Sequence, residues 1–507
     1  MQLAVTNSVT KGRLNISAAG PRIRSTRVAA AVIHSALTLA VLSVLLLGAT
    51  RPAQAQGQAT LYTFTGTPDG ANPQSRLTFS GGNLYGTTYD GGLGFGTVFE
   101  LAPDGTGGWT ETVLYSFCSV ANCADGQNPT YSHVTFDSQG NLYGTAFGGG
   151  ANGFGVVFEL SPGQSGWTET VLYSFANSPD GANPVNGLLM DAAGNLYGTT
   201  FAGGSQGNGA IYELSPSGGG WTEKVIVANI SSTHSGLTMD AHGNIFGTTY
   251  RAVFKMVPTS KGGWNLTKIF NFPKIGTNPN GTPVLDSAGN VYGTTFAGGV
   301  NNDGMVYKLI PGAGGTWTEQ VLHSFGAANS NPLAGLAIDS AGNLYGTTSQ
   351  GGLHGDGTVF ALSPNGSGGY NYKVLQAFTG DSGNQPYGSM ILAGGYLFGT
   401  TFRGGLTGDG VVYEVDPTPS TTTTTLTISP NPSNHGHTVT FTATVTPAPA
   451  DGELITFEAI GQGPLIGGKA IFQTSTLPVG TTKVRAIYFG DLNLLSSRSI
   501  WHYAVVK

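Results

Sequence analysis

Residues 187–229 read GLLMDAAGNLYGTTFAGGSQGNGAIYELSPSGGGWTEKVIVAN and contain four short apolar segments separated by turn signals. The segments span residues 187–191, 196–200, 210–214 and 221–227, and Asp-x-x-Gly-Asn or glycine-rich stretches between them indicate tight turns. The segments are apolar at successive positions, which is typical of strands buried on both faces. Four such strands in about 50 residues match the length of one β-propeller blade.

The same unit recurs along the chain. One aromatic residue, in Asn-Leu-Tyr-Gly-Thr or a close variant, marks each copy: Tyr85, Tyr143, Tyr197, Phe246, Tyr292, Tyr345 and Phe398. A Val-Phe-Glu-Leu element follows in each copy, and a Trp-Thr-Glu-Thr-Val-Leu-Tyr-Ser-Phe element follows in all but the last. The count predicts an all-β fold whose first domain, residues 56–416, is a seven-bladed propeller with four-stranded blades.

The two ends of the repeat region predict how the ring closes. The last copy stops at Val415 without a fourth strand, whereas Thr60–Phe64 resembles the fourth-strand segment Val113–Phe117. We therefore expect Thr60–Phe64 to supply the outer strand of the blade near residues 388–415. Such closure removes an exposed sheet edge, which an open solenoid would keep.

Residues 1–55 are typical of a signal peptide. A basic leader precedes the apolar segment Val28–Gly48, and Ala53-Gln54-Ala55 has the small-x-small pattern of a cleavage site after Ala55. The alternative is an uncleaved membrane anchor, because about 20 apolar residues could span a bilayer. After cleavage we expect no stable membrane span, and an exported monomer in the periplasm, at the cell surface or outside the cell.

A different pattern begins after the repeats. Residues 417–425 form a Pro/Thr-rich linker, and residues 426–507 have the length of an immunoglobulin-like β-sandwich. Within it, Thr438–Thr446 alternates apolar residues with threonine, as a half-buried strand does, and Lys483–Phe489 is expected to be a second strand.

Charge and cysteine content limit the possible functions. Residues 1–55 hold six of the 21 basic residues and none of the 27 acidic ones, so the remaining chain has a net charge of −12. This charge argues against nucleic acid as a partner. Cys118 and Cys123, the only cysteines, flank a short insert, and in an exported protein they predict a local disulfide rather than a metal site.

One loop that recurs between blades is a candidate for ligand contact. Asp69-Gly70-Ala71-Asn72-Pro73 has counterparts at 125–129 and 180–184, where one blade passes to the next, and such crossovers share one rim of a propeller. The alternative is that these residues only shape turns. The candidate rim residues are Asp69, Asn72, Asp125, Asn128, Asp180 and Asn183.

No cofactor is expected, with calcium as the one possible exception. The Asp-x-x-Gly-Asn turns offer oxygen atoms, and calcium favours clustered oxygen ligands. We favour turn chemistry, in which Asp bonds its own backbone, because the first and last copies lack the Asp. The turns begin at Asp137, Asp191, Asp240, Asp286 and Asp339. We predict no catalytic or metal-binding residues.

Three further patterns have structural interpretations. Tryptophans at one register of the repeat predict packing between blades rather than sugar-stacking platforms. Gly203-Gly204-Ser205-Gln206-Gly207 matches Gly-x-Ser-x-Gly, but it falls in a hairpin loop rather than the strand-to-helix elbow that a hydrolase needs. His435 and His437 lack an evident third metal ligand.

The ordered elements Asp-x-x-Gly-Asn-Leu-Tyr-Gly-Thr-Thr, Gly-Gly and Val-Phe-Glu-Leu-x-Pro resemble the GloVer tandem-repeat family of exported bacterial proteins over residues 60–415. The tail, with Ser429-Pro430-Asn431-Pro432 and Tyr488-Phe489-Gly490-Asp491, is similar to bacterial Ig-like repeats of surface proteins. The resemblance implies export and a propeller, and it implies no activity for any residue.

Three functions are compatible with these patterns. The first is a non-catalytic binding or surface-interaction protein whose ligand is an extracellular polysaccharide or a surface protein. The second is an extracellular polysaccharide lyase or hydrolase with its site in rim loops, where the carboxylates Asp303, Asp356 and Asp409 would be examined first. These three share one register in the glycine-rich loops, which favours a role in hairpin turns instead. The third is a structural component of the cell envelope. The lack of a catalytic constellation favours the first.

Overall fold

The computed structural model describes residues 58–230, 235–273, 277–418, 422–446, 448, 454–488 and 497–507. The predicted signal peptide and its cleavage site lie outside these residues and stay predictions. Besides strands, the described residues form three short 3₁₀ helices, at Ala121–Cys123, Ala313–Gly315 and Gly380–Ser382. In this described part of the chain, no helix is long and apolar enough to cross a membrane.

Seven four-stranded antiparallel sheets form the blades of a propeller, which confirms the predicted fold. The first strand, β1 (Gln58–Thr63), belongs to blade 7. Blades 1 to 3 contain β2 (Thr78–Ser80), β3 (Asn83–Thr88), β4 (Thr97–Pro103) and β5 (Trp109–Ser116); β6 (Thr135–Phe136), β7 (Leu142–Ala146), β8 (Val156–Gly163) and β9 (Gly166–Ser174); and β10 (Ala182–Met190), β11 (Leu196–Ala202), β12 (Ile211–Ser217) and β13 (Gly220–Val227).

The remaining blades repeat this order, and β22 (Asn329–Ser330) and β25 (Gln350–Gly351) form a small extra ladder. Blades 4 to 7 contain β14 (Thr238–Met239), β15 (Ile245–Thr248), β16 (Ala252–Pro258) and β17 (Trp264–Asn271); β18 (Val284–Leu285), β19 (Val291–Thr295), β20 (Met305–Pro311) and β21 (Trp317–Ser324); β23 (Ala337–Ile338), β24 (Leu344–Thr348), β26 (Thr358–Pro364) and β27 (Tyr370–Ala377); and β28 (Ile391–Ala393), β29 (Tyr396–Thr401) and β30 (Val411–Val415).

The N-terminal strand closes the ring as predicted. β1 pairs antiparallel with β30, from Gln58 opposite Val415 to Thr63 opposite Val411. This gives blade 7 its fourth strand and covers the edge that β30 would otherwise expose. Phe64, which follows β1, is fully buried and meets Phe99 of blade 1 edge-on, with ring centroids 5.1 Å apart.

The glycine of Asn-Leu-Tyr-Gly-Thr is required because an aromatic ring of the next strand lies directly on it. A Cβ atom at Gly198 would lie 2.4 Å from the ring carbon Cζ of Tyr212, closer than real Cβ contacts occur. The buried Tyr212 ring in turn meets Phe175, which follows the last strand of the preceding blade, at 5.0 Å. The motif therefore couples packing within a blade to packing between blades.

The threonine after this glycine holds each blade to the next. Its hydroxyl donates a hydrogen bond to a carbonyl oxygen in the inner segment of the following blade, and Thr400 closes the circle by donating to Ser75 at 3.0 Å. The other six donors are Thr87, Thr145, Thr199, Thr248, Thr294 and Thr347. The repeat motif is thus explained by blade assembly.

The tryptophan register also packs between blades, as predicted. Trp109 meets Phe398 of blade 7 at 6.4 Å between ring centroids, and Trp264 meets Tyr197 of blade 3 at 5.7 Å. Further tryptophans contact the neighbouring blade at Trp221 and Trp317.

The C-terminal domain is a nearly closed, Ig-like β domain around the buried Phe441, Phe457 and Tyr488. Its strands are β31 (Thr423–Ser429), β32 (Val439–Thr446), β33 (Leu454–Phe457), β34 (Gly461–Ile466), β35 (Lys469–Thr474), β36 (Gly480–Val484), β37 (Ala486–Tyr488), β38 (Ser497–Arg498) and β39 (His502–Val506). The alternation predicted at Thr438–Thr446 is confirmed, because Val439, Phe441, Ala443 and Val445 are buried.

Two predicted boundaries in this region were wrong. The linker does not extend to residue 425, because Thr423 already pairs with Thr446 in β31, and β-branched threonine favours strands. Lys483–Phe489 is not one strand: it breaks at Arg485, where β36 pairs with β39 and β37 pairs with β33. The Arg485 carbonyl accepts the Glu458 amide at this change of partner, and Phe489 lies outside the described residues.

Candidate functional site

The crossover loops between blades and the glycine-rich hairpins between second and third strands meet on one face, which we call the loop face. In blade 1 the crossover residue Ala71 bridges to Asp90 at the start of the hairpin, and in blade 2 Gln127 bridges to Gly148. The candidate rim residues therefore lie on one rim. The Asp-x-x-Gly-Asn turns lie at the opposite ends of the strands, on the turn face.

The three candidate rim aspartates point into their own loops. Asp125 is 2% exposed, and its carboxylate accepts hydrogen bonds from the Tyr115 hydroxyl at 2.8 Å and from the Ser119 amide and hydroxyl at 2.9 Å. Asp69 and Asp180 are also buried, and each accepts the hydroxyl of the equivalent tyrosine at 2.8 Å. These contacts support turn chemistry, and ligand contact by the three carboxylates stays a prediction.

The three candidate asparagines join neighbouring blades. Asn72, Asn128 and Asn183 have φ values of 58°, 52° and 58°, in the left-handed region that asparagine tolerates. Each side-chain amide donates to a backbone carbonyl of the preceding blade, at 2.9, 2.9 and 3.0 Å. The crossover loop therefore fixes the hairpins of two blades at once.

Beside these loops, a second carboxyl group approaches each buried aspartate. Glu169 of β9 has a buried Oε1 atom without a hydrogen-bond partner among the described residues. Burial and the nearby negative charge of Asp125 raise the pKa of Glu169 to about 7. Glu111 beside Asp69 and Glu223 beside Asp180 have pKa values raised to about 7 for the same two reasons.

These glutamates predict a propeller that is less stable in alkaline solution. The pKa of Glu169 is raised from 4.5 to about 7 in the folded state, so its stabilising effect is full below pH 4.5 and is lost as the pH rises through 7. We expect Glu169→Gln to raise the free energy of unfolding at pH 8 and to leave it nearly unchanged at pH 5. Denaturant unfolding at both pH values measures this, and equal effects at the two values would contradict it.

The carboxylates of the Asp-x-x-Gly-Asn turns accept hydrogen bonds from groups of the same turn and the strand that follows it. Asp191 accepts the amides of Ala193 and Asn195 on Oδ1, and the Asn195 side chain and Tyr197 hydroxyl on Oδ2. Partial burial raises the pKa of Asp191, but these hydrogen bonds outweigh it, so the pKa lies below its usual value. No group of three His, Cys, Asp or Glu side chains among the described residues is placed to hold a metal ion.

The other sequence candidates have local roles. Cys118 and Cys123 form the predicted disulfide. Ser205 lies in a hairpin and donates to the Ala228 carbonyl at 3.1 Å. The Asp356 carboxylate accepts the Asn384 side chain at 2.7 Å, while Asp303 and Asp409 accept backbone amides of the following crossover loop through their carbonyl oxygens. His435 and His437 are exposed in the C-terminal domain.

A cavity of about 670 Å³ lies on the propeller axis, lined by the inner segments of all seven blades. This volume lies in the range of small-molecule sites. Its loop-face end contains aromatic and amide side chains, including Tyr250, Phe296 and Asn280. The end towards the turn face is lined by apolar side chains of the first strands, such as Leu189, Ile338 and Leu392.

Two blades differ from the others at one register of the inner segments, which is the residue before the apolar position that recurs in the first strand of each blade. Five blades carry a small residue there: Gly187, Gly236, Thr282, Gly335 and Ser389. Blades 1 and 2 carry Arg76 and His133 instead. The small residue in blade 3 makes room for the histidine, because a Cβ atom at Gly187 would lie 2.2 Å from Nδ1 of His133.

Tyr131 is a second unusual residue of blade 2. The segment from Pro129 to the inner-strand Val134 is one residue longer than in the other described copies with a proline, such as Pro73 to Leu77. Tyr131 has φ 54°, a left-handed conformation that bulky residues rarely adopt, and lines the cavity. Backbone strain of this kind is concentrated at functional sites.

The electrostatics of this sector follow from its surroundings. Burial, together with the positive charge of Arg76, lowers the pKa of His133 to about 3, so the imidazole is neutral at physiological pH. Burial and the nearby Tyr387 raise the pKa of Tyr131 to about 12. Arg76 is exposed to the cavity. Its pKa lies below the usual value, because the surrounding blades displace part of the bulk water around the guanidinium. We call Gln74, Arg76, Tyr131, His133 and Tyr387 the polar sector.

The polar sector was not predicted from the sequence, because the residues shared by the copies are the ones that assemble the blades. The signal in the sequence was a departure from the repeat: Arg76 and His133 stand at a register of small residues, and blade 2 has an extra residue before Val134.

The comparisons with known families agree with this architecture. The model of the Gloeobacter/Verrucomicrobia repeat matches residues 106–253 and 250–456, more than half of the chain. The chain belongs to the Gloeobacter/Verrucomicrobia repeat family. This confirms the predicted resemblance. In the same repeat-family chain, the model of the bacterial Ig-like domain (group 3) matches residues 426–505. The disulfide and this Ig-like domain are features of proteins outside the cytoplasm.

Solved structures similar to this repeat-family chain have varied functions. A streptogramin B lyase is 14% identical, with a TM-score of 0.47, over 72% of this chain and 99% of that chain. An extracellular domain of a protein from B. thetaiotaomicron described as a one-component system is 13% identical, with a TM-score of 0.49, over 89% and 59%. An ulvan lyase of polysaccharide lyase family PL25 is 11% identical, with a TM-score of 0.43, over 71% and 93%. No curated protein matches the chain.

Proposed function

We propose that this protein is an exported, non-catalytic binding protein whose propeller takes part of a polysaccharide into the axial cavity from the loop face. The observation that carries the proposal is the cavity itself, about 670 Å³ with aromatic rings and amide groups at its loop-face end. Amide groups donate and accept hydrogen bonds, as sugar hydroxyls require, and flat apolar rings can cover the faces of a sugar. The Ig-like domain would then act as a spacer at the cell surface or in the periplasm.

Aromatic residues recur at one register of the loop face, and two of them, Tyr250 and Phe296, line the cavity. The residue after Gly-Thr-Thr or its variant is aromatic in six of the seven blades, and Tyr250 at this register is 52% exposed. Tyr387 packs against Phe402, with ring centroids 5.3 Å apart. The remaining aromatic positions of this register are Tyr89, Phe147, Phe201 and Phe296.

A glycan-array screen of the chain from residue 56, with and without calcium, tests the proposal. We expect reproducible, calcium-independent binding to one glycan class. Asn280→Trp should abolish this binding, because the indole would occupy the cavity that Asn280 lines. Val300→Trp is the matched control, since Val300 is 87% exposed on a hairpin away from the cavity lining. A blank array would favour a protein partner or a structural role.

The second candidate is a polysaccharide lyase or hydrolase, and the observation that favours it is His133 beside Arg76 and Tyr131 in the cavity. A pKa of about 3 makes the His133 imidazole a weak base at neutral pH, which favours binding over proton abstraction. Glycan depolymerisation by the wild-type chain, absent in His133→Ala, would instead support the enzyme.

A further inference from the structure

Arg76 is a charged side chain without a charged partner in the described structure. The two ion pairs formed by the described residues involve His242 with Asp240 and Arg485 with Glu458. Among the described residues that line the axial cavity, Arg76 is the only Asp, Glu, Lys or Arg. A guanidinium that faces a cavity and has no counter-charge there is available to an anionic ligand.

The surroundings of Arg76 suit an anion rather than a cation. The neighbouring His133 is neutral, so it adds no competing positive charge, and its ring is set in place against Gly187. Tyr131 and Tyr387, from the blades on either side of Arg76, add hydroxyl groups that can donate hydrogen bonds. A planar guanidinium binds carboxylate and sulfate oxygens through two parallel hydrogen bonds.

From this arrangement we propose that the axial cavity binds an acidic saccharide, with the carboxylate of a uronate or a sulfate ester seated on Arg76. The inference rests on the proposed function and specifies its ligand class. Gln74 and Asn280 offer amides to the sugar hydroxyls, and Tyr250 and Phe296 cover the residue nearer the loop face. Ligand binding would thus explain why blades 1 and 2 carry Arg76 and His133 where the other blades carry small residues.

The test compares four probes by titration calorimetry: an oligogalacturonate, its neutral methyl ester, dextran sulfate and dextran. We expect the chain from residue 56 to bind oligogalacturonate or dextran sulfate, and to bind the uncharged counterpart at least about tenfold more weakly. The first pair of probes tests recognition of a carboxylate, and the second pair tests recognition of a sulfate. The two pairs therefore show which anionic group the cavity binds.

Arg76→Gln should weaken binding of the acidic probe at least about tenfold, since a hydrogen-bonded charge pair is lost. Arg498→Gln is the matched control, because it changes the net charge equally and lies exposed in the C-terminal domain. The melting temperature of Arg76→Gln should be close to that of the wild type, because Arg76 is exposed to the cavity and forms no ion pair with the described residues. A marked fall would mean that Arg76 has a structural partner, and would overturn the inference.

Affinity for the acidic probe, measured in the same titrations, should change little from pH 6 to pH 8, and a steep loss across this range would contradict binding through the permanently charged Arg76. Arg76, His133, Tyr131 and Tyr387 are the ionisable groups of the polar sector, and His133 at about 3 and Tyr131 at about 12 titrate outside this range.

The outcomes separate this inference from the proposed function. Equal binding of acidic and neutral probes, or acidic binding that Arg76→Gln and Arg498→Gln change alike, would overturn the inference and leave a carbohydrate-binding propeller. Binding of none of the four probes would overturn the inference, and a blank glycan array alongside it would overturn the proposed function as well.

Discussion

Deleting residues 58–63 is expected to open the propeller and to lower its free energy of unfolding by about 5 kcal/mol or more. The deletion removes β1, which pairs with β30 along the outer side of blade 7. It also uncovers the buried Val412, Leu101 and Phe99, which pack beside Leu61 and Tyr62 of β1. A ring that depends on contacts between successive blades should then lose its cooperative unfolding.

Denaturant unfolding of the two chains, followed by circular dichroism, measures this loss. A synthetic peptide of residues 58–66 is the control, because added in excess it should pair with β30 and restore the cooperative transition in the deleted chain. An unchanged transition midpoint after deletion would show that blade 7 does not need β1, and would contradict the closed-ring account.

Replacing Asp125 with alanine is expected to cost about 3 kcal/mol, the second largest effect that we predict. Asp125 is almost completely buried and accepts hydrogen bonds from Tyr115 and Ser119. Alanine would leave these donors without their acceptor inside the loop that joins blades 1 and 2. Thermal unfolding of Asp125→Ala measures the effect, and Asp104→Ala, in an exposed turn of blade 1, should shift the melting temperature far less.

The same variant decides between the two interpretations of the rim loops. If Asp125→Ala keeps the stability of the wild type and loses ligand binding, the rim aspartates contact the ligand. If it loses stability and the surviving folded protein still binds, the loops serve to assemble the blades, as the buried carboxylates of Asp69 and Asp180 indicate.

The sequence predicted the propeller well because the residues that assemble it occur in every copy. Gly198 must accept the Tyr212 ring, and the threonine that follows must reach the next blade, so every copy keeps both positions. The unmatched segment at Thr60–Phe64 then fixed how the ring closes. Boundaries were predicted less well where strands change partners, as at Arg485, since periodicity does not report which strand lies alongside.

The candidate site was not predicted, for a related physical reason. A repeated motif points to contacts that all blades make, whereas a ligand on the propeller axis contacts each blade differently. Arg76, His133 and Tyr131 are visible in the sequence only as departures from the repeat. Their shared position around one cavity depends on seven inner segments meeting at the axis, which no single repeat displays.

The most direct test of the account is a crystal structure of the chain from residue 56 with a bound acidic oligosaccharide, either oligogalacturonate or a sulfated one, chosen by which probe binds. We predict the saccharide in the axial cavity, entering from the loop face, with a carboxylate or sulfate group in hydrogen-bonding distance of the Arg76 guanidinium. A saccharide bound only to the rim loops around Asp69, Asp125 and Asp180, or only to the Ig-like domain, would contradict the assignment of the cavity as the binding site.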